Sequence, residues 1–258
     1  MRQPFAGERP LILNPPKLRI AVDGLIHTRY LSGVFQIQMP LAKRIAPSSS
    51  SFTEKFVPLK GNFNSWSEYW NLVEPRLKAR AEGFKYIFDY LNSLSHAPVI
   101  VETGTLREPN NFEGDGCSTK LFDTWLKYNQ GKLLSVDIDP AAVAEAKKHC
   151  KRASIHESDS VEWLSQCDEE IDVLYLDSFN ITDWNNDWAA ASHHLKELLA
   201  AFFCLSPGSI IVVDDNVKHP HTGKKIGKGR LVREAIEASQ MATLVHDGYQ
   251  EIYMWEVG

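Results

Sequence analysis

From residue 98 onward the chain alternates short apolar runs with amphipathic stretches, and two of the runs end abruptly in carboxylates. Leu174-Tyr175-Leu176 stops at Asp177, and Ile210-Ile211-Val212-Val213 stops at Asp214-Asp215-Asn216. A short, uninterrupted apolar run reads as a strand buried on both faces, the mark of a parallel sheet covered by helices. Side chains at the ends of such strands reach the rim of an open α/β sheet, where these folds bind ligands. Carboxylates converging there from neighbouring strands repel one another unless a cation lies between them, and a hard ion with oxygen ligands such as Mg²⁺ is the expected partner. Capping of loops or helices is the competing use of such acids.

The alternation predicts strands at Pro98–Glu102, Leu133–Asp137, near Ser154–His156, at Ile171–Leu176 and at Ser209–Val213. Between them fall helices at Ser118–Tyr128, Pro140–Cys150, Ser160–Gln166, Trp188–Leu205 and Gly229–Ser239. Pro140 suits the first turn of its helix, where a missing N–H costs nothing. Two closing strands, near Ala242–His246 and Glu251–Glu256, read as an antiparallel hairpin through Asp247-Gly248 at the sheet edge. Upstream, apolar residues from Trp66 to Leu94 recur at three- and four-residue spacing, giving one helix or two broken near Pro75. The expectation is a Rossmann-like α/β fold, with a mostly parallel sheet and helices on both faces.

A chain of 258 residues with 43% hydrophobic and 24% charged residues has material for one large domain. Residues 1–62, punctuated by Pro10, Pro15, Pro16 and Ser48 to Ser51, read as an irregular N-terminal arm or lid. A short strand at Leu18 to Val22 within it would serve as an edge strand, a lid or a dimer arm. Residues 63–258 form the expected α/β domain. A formal net charge of -5 without a long Lys/Arg run argues against nucleic acid as a partner, His219 to Arg230 being the one basic cluster. Cys117, Cys150, Cys167 and Cys204 form no CxxC pair, so they read as thiols in a reducing compartment. The first residues lack the apolar core of a signal peptide, and no apolar run approaches the roughly 20 residues of a membrane span. A cytoplasmic protein without a membrane partner is expected.

The first strand ends in Glu102-Thr103-Gly104-Thr105, and the following loop leads to Gly114-Asp115-Gly116-Cys117-Ser118-Thr119. Glycines at a strand-to-helix turn let the backbone approach a ligand, and Ser118 and Thr119 add hydroxyls. The second strand ends at Asp137, placed to accept from both hydroxyls of a ribose. The third runs into Asp159-Ser160, suited either to an adenine amino group or to capping the next helix.

With Glu102-x-Gly104, Asp137, Asp159 and Asp177 in strand order, the chain resembles the class I S-adenosylmethionine-dependent methyltransferases over roughly residues 66–258. Asp177 with Asp214 and Asp215 narrows the resemblance to the metal-dependent small-molecule O-methyltransferases of the catechol, caffeoyl-CoA and macrolide-sugar kinds. The resemblance implies a seven-stranded sheet with a reversed last strand and a cofactor held by Glu102, Gly104, Thr105, Ser118, Asp137, Asp159, Ser160 and Asp177. It also implies Mg²⁺ or another divalent cation on Asp177, Asp214 and Asp215. A register shifted by one residue would use Asn216 instead.

The implied activity is methylation of a hydroxyl on a small-molecule acceptor: a sugar, a catechol-like ring or a natural-product diol. A homodimer is the expected assembly. The rival readings are a metal-independent N- or C-methyltransferase and a non-catalytic methyltransferase-like assembly module. The chain departs from the family in its long loop from Thr105 to Asp115, and in Asn180, which stands where catechol-type enzymes place a lysine base. An amide cannot accept the proton, so the base is sought elsewhere. The candidates are His193, in a His-x-x-x-Glu-Leu segment similar to that of cephalosporin-hydroxylase-like methyltransferases, together with Asp183, His219 and His221. The loop from Lys218 to Gly229 is expected either to overhang the acceptor or to lie solvated on the surface. Trp184 and Trp188 are candidates for an aromatic pocket or for core packing.

Overall fold

The computed structural model describes residues 62–257 apart from 182 and 185. The arm expected over 1–62, with its strand at Leu18 to Val22, lies outside the described residues except for position 62. Helices α1 (Trp66–Val73) and α2 (Ala81–Ser93) precede the sheet. The order then runs β1 (Val99–Thr103), α3 (Ser118–Trp125), β2 (Lys132–Asp137), α4 (Pro140–His149), β3 (Ser154–Glu157), α5 (Ser160–Ser165), β4 (Ile171–Leu176) and α6 (Trp188–Ala201). It closes with β5 (Leu205–Val213), β6 (Asn216–Lys218), β7 (Lys225–Gly227), α7 (Arg230–Ser239), β8 (Ala242–Asp247) and β9 (Glu251–Trp255).

Seven strands form one sheet in the order β3-β2-β1-β4-β5-β9-β8. The first five are parallel, and β9 runs antiparallel to both β5 and β8. The reversed strand therefore lies inside the sheet, with β8 outermost. Strand order reverses between β1 and β4, which opens a crevice beyond their C-terminal ends.

Pleating divides the apolar runs between two cores. Ile100, Val173, Tyr175, Ile210 and Val212 face α1 to α4, while Val101, Leu174, Leu176, Ile211 and Val213 face α5 to α7. The Phe84 ring from α2 stacks on Tyr175 with centroids 5.7 Å apart and 13° between planes. Such aromatic pairs add about 0.5–1.5 kcal/mol beyond the burial of their area.

Near Pro75 the first helical stretch breaks into two helices, joined by 3₁₀ turns at Glu74–Arg76 and Lys78–Arg80. The break puts Arg80 at the start of α2. Two further differences have local causes. Helix α6 ends at Ala201 rather than Leu205, and β5 starts at Leu205, with its register to β4 shifting before Ile210. Pro207-Gly208 reads as a breaker in sequence and is accommodated in that irregularity. The segment from Lys218 to Gly229 contains strand β7, which pairs with β6 as an antiparallel hairpin. Strands of three residues, partly polar, carry no alternation to detect. No helix among the described residues is long and apolar enough to cross a membrane.

Candidate functional site

At the strand tips lies a cavity of about 450 Å³, whose walls include Gly104, Thr105, Ser118, Asp137, Asp159, Ser160 and Asp177. Gly104 makes this possible. Its φ is +83°, and a Cβ there would lie 2.8 Å from the carbonyl oxygen of Asp177, so only glycine lets the tips of β1 and β4 meet. The Asp137 carboxylate is held by two backbone donors, accepting from Thr105 N and Asp139 N at 2.9 Å each. Asp159 accepts from Glu162 N at 2.9 Å, so it caps α5 while also facing the cavity.

Glu102 lies beneath the cavity rather than in its wall. It is fully buried and accepts from the hydroxyls of Thr119 and Ser135 at 2.6 Å each. Its second oxygen, Oε1, has no partner, and burial pushes the carboxyl up to about 7. The long loop supplies a residue the sequence did not single out. Arg107 lines the cavity, donating to Asn180 Oδ1 at 2.7 Å and to Asp115 Oδ1 at 3.1 Å. A single arginine in a long polar loop has no local pattern that would mark it.

The acids of the opening argument have their cation, and the chain itself provides it. Lys228 Nζ lies 2.6 Å from Asp177 Oδ1 and 2.9 Å from Asp215 Oδ2. From the other side, Arg80 donates to Asp214 Oδ2 at 2.8 Å and to Asp215 Oδ1 at 2.7 Å. Tyr175 adds a hydrogen bond to Asp214 at 2.7 Å, and Tyr249 one to Asp215 at 2.6 Å. Among the described residues no group of three His, Cys, Asp or Glu side chains could hold a metal ion. The donor set does not fit Mg²⁺, which needs a near-octahedral shell of free oxygens at about 2.0–2.1 Å. Asn216, the alternative ligand, is committed as well: its amide donates to Val213 O at 2.8 Å and its Oδ1 accepts from Gly229 N at 2.8 Å.

Charge follows this geometry. Burial and the neighbouring acids raise the Asp177 carboxyl, and Lys228 pulls it back toward the charged form. Asp215 is partly buried, which raises it, yet Lys228 and Arg80 together hold it below the usual carboxylate range. Lys228 is pressed down by burial, but Asp177 and Asp215 raise it above an ordinary lysine, so it stays an ammonium.

The glycines before α3 serve this network. Gly114 O accepts from Arg80 Nη1 at 2.8 Å, and Gly116 faces the arginine side chain. Their expected closeness to a ligand is here closeness to a cation.

Of the base candidates, His193 alone lines the cavity. Its Nε2 is 3.0 Å from Ser160 Oγ and 3.3 Å from Glu197 Oε1, and its ring lies 5.4 Å from that of Phe179. Glu197 is buried and accepts from Ser160 Oγ at 2.5 Å and Ser178 Oγ at 2.6 Å. Burial would push Glu197 up, but His194, His193 and these hydroxyls hold it down at about 2. The hydrogen bond to Glu197 in turn raises the His193 imidazole against the effect of burial. His219 Nδ1 instead accepts from the backbone of His221 and Thr222 at 3.2 Å each, closing the β6–β7 turn. Asp183 is exposed, outside the cavity wall. Trp184 and Trp188 are 37% and 50% exposed, which places them in neither core nor cavity, and Trp188 packs under the Arg230 guanidinium.

No protein-family model and no curated protein matches the chain. Solved structures that share part of the fold include an rRNA methylase from Streptococcus thermophilus, with 14% identity, 66% of this chain and 94% of that chain covered, and a TM-score of 0.42. A sugar N-methyltransferase from a Streptoalloteichus species has 11% identity, covers 78% of this chain and 97% of its own, and gives a TM-score of 0.45. The mycinamycin-pathway methyltransferase MycE, in complex with Mg, SAH and mycinamycin VI, has 17% identity over 69% of this chain and 50% of that chain, with a TM-score of 0.47. Similarity at this level fixes neither activity nor substrate, which rest on the site's own residues.

Proposed function

We propose that the chain is an S-adenosylmethionine-dependent methyltransferase acting on a hydroxyl of a small molecule. The observation that carries this is the cavity at the β1/β4 switch, with Gly104, Asp137, Asp159 and Asp177 in its wall in strand order. The residues suit the cofactor: Gly104 allows close backbone approach, and Glu102 Oε1 is a buried acceptor without a partner beside the strand tip. In this reading Asp137 accepts from the ribose hydroxyls, Asp159 and Ser160 border the adenine, and Arg107 at the loop edge pairs with the carboxylate of the methionine moiety. When bound, the cofactor would supply an electrophilic methyl group to the acceptor oxygen, with its sulfur as the leaving group. His193 takes the hydroxyl proton, and Glu197 stabilises the imidazolium so formed. No Mg²⁺ enters this reading, because Lys228 and Arg80 already engage the three carboxylates.

An amine acceptor is the second reading. It is favoured by Asp177, the acid of this network that stands in the cavity wall, where it can meet a ligand. Calorimetry with S-adenosylhomocysteine tests the cofactor assignment, and absence of binding would sink it. Transfer of labelled methyl from S-adenosylmethionine to a panel of hydroxyl and amine acceptors then separates the two readings. His193→Ala abolishes transfer to a hydroxyl and spares transfer to an amine that arrives unprotonated.

A further inference from the structure

We infer that Lys228 is the permanent cation of this site, delivered by the β6–β7 hairpin into the place a divalent metal would take, so that the cavity works without metal. The inference rests on the methyltransferase reading only for the word "works"; the cation assignment itself concerns the folded protein.

Three features of the hairpin point the same way. The Lys228 side chain is 2% exposed, with Nζ within 2.9 Å of Asp177 and Asp215 and 3.1 Å from the Asp177 carbonyl oxygen. The backbone around it is built for that placement. Gly227 has φ +121°, and a Cβ there would lie 2.1 Å from Asp215 O. Asp215 itself holds φ +55°. Two residues in the left-handed region, one of them not glycine, press the hairpin against the strand tip. The hairpin is also anchored on both sides, because Gly227 N donates to Asp187 Oδ2 and Gly229 N to Asn216 Oδ1, each at 2.8 Å.

Arg80 completes the arrangement. Its guanidinium grips Asp214 Oδ2 and Asp215 Oδ1 at once, a forked contact that leaves Asp177 Oδ1 and Asp215 Oδ2 to Lys228. An acceptor is therefore held by side chains at the cavity and not by chelation of a vicinal diol. That widens the substrate class to molecules bearing a single hydroxyl.

The test uses the full chain. S-adenosylhomocysteine is titrated calorimetrically in EDTA and in Mg²⁺, and thermal midpoints are recorded across a MgCl₂ series without cofactor. The inference expects affinities equal within about twofold and no saturable Mg²⁺ stabilisation of the wild type, since a ligand that does not bind the native state cannot shift its midpoint. Lys228→Ala vacates the position, and its midpoint should rise with Mg²⁺. A wild type stabilised saturably by Mg²⁺, cofactor affinity lost in EDTA, or a folded Lys228→Ala indifferent to Mg²⁺ each overturns it. If Lys228→Ala does not fold, the wild-type melting series still decides. If S-adenosylhomocysteine does not bind under any condition, the proposed function fails, and the melting series still decides the cation assignment.

Discussion

Arg80 reaches Asp214 and Asp215 through the space left by Gly116: a Cβ on that glycine would lie 2.8 Å from the arginine Cδ. Gly116 also has φ +74°, so alanine there meets both a steric and a conformational penalty. Gly116→Ala should lower stability by about 1–3 kcal/mol from the backbone alone. It should also displace Arg80 from a buried ion pair, whose one-sided loss costs about 3–5 kcal/mol. Chemical denaturation measures the sum. A variant as stable as wild type would show that the arginine has another route to the acids.

Asp137→Ala tests the cofactor-binding reading. A charge-assisted hydrogen bond is worth about 1.5–3 kcal/mol, so losing even one of the two to the ribose corresponds to a roughly 10- to 150-fold loss of S-adenosylhomocysteine affinity. Calorimetry reads this directly. Unchanged affinity would remove Asp137 from the ribose.

His193 and Glu197 make a prediction about pH. Glu197 raises the His193 imidazole, so the acidic limb of kcat/KM for a hydroxyl acceptor should lie above the ordinary histidine range. Glu197→Gln removes that cause and should move the limb to lower pH, while His193→Gln should abolish it along with most of the rate. A limb that stays in place in Glu197→Gln would assign it to another group.

Glu102 makes a prediction about stability. Its carboxyl is raised to about 7 in the folded chain, above its ordinary 4.5, so the folded state binds more protons between those values. Stability should therefore fall as pH rises across that window, by up to about 3 kcal/mol from this group. Glu102→Gln carries no titrating group, so its stability relative to wild type should increase from about pH 4 to about pH 8. Urea denaturation at the two pH values gives the difference and cancels any fixed cost of the amide. A constant difference would refute the shift.

The sequence displayed what is local and withheld what is distant. Strand β4 was legible to the residue because Ile171 and the apolar run Val173 to Leu176 stop at Asp177, and Pro140 marked the start of α4. Gly104, Asp137, Asp159 and Asp177 could be placed because each lies within two residues of the end of its strand. The cations could not. Arg80 lies 134 residues from Asp214, and Lys228 lies 51 from Asp177; Arg80 follows Arg76 and Lys78, and Lys228 sits among Lys224, Lys225 and Arg230, so neither stands out from its basic neighbours. Converging acids announce that a positive charge is needed, and the rule of repulsion is silent on whether an ion or a side chain provides it. The β6–β7 hairpin was missed for a related reason: its pairing is polar and its purpose is the residue it delivers.

Arg80 stands near the beginning of the described chain and Lys228 near its end, and both settle on Asp215. Charge pairing at the rim thus draws on both halves of the described chain. A nascent or truncated chain that stops before residue 228 presents Asp177 and Asp215 with their lysine missing, and one that lacks residue 80 strands Asp214 in an apolar interior.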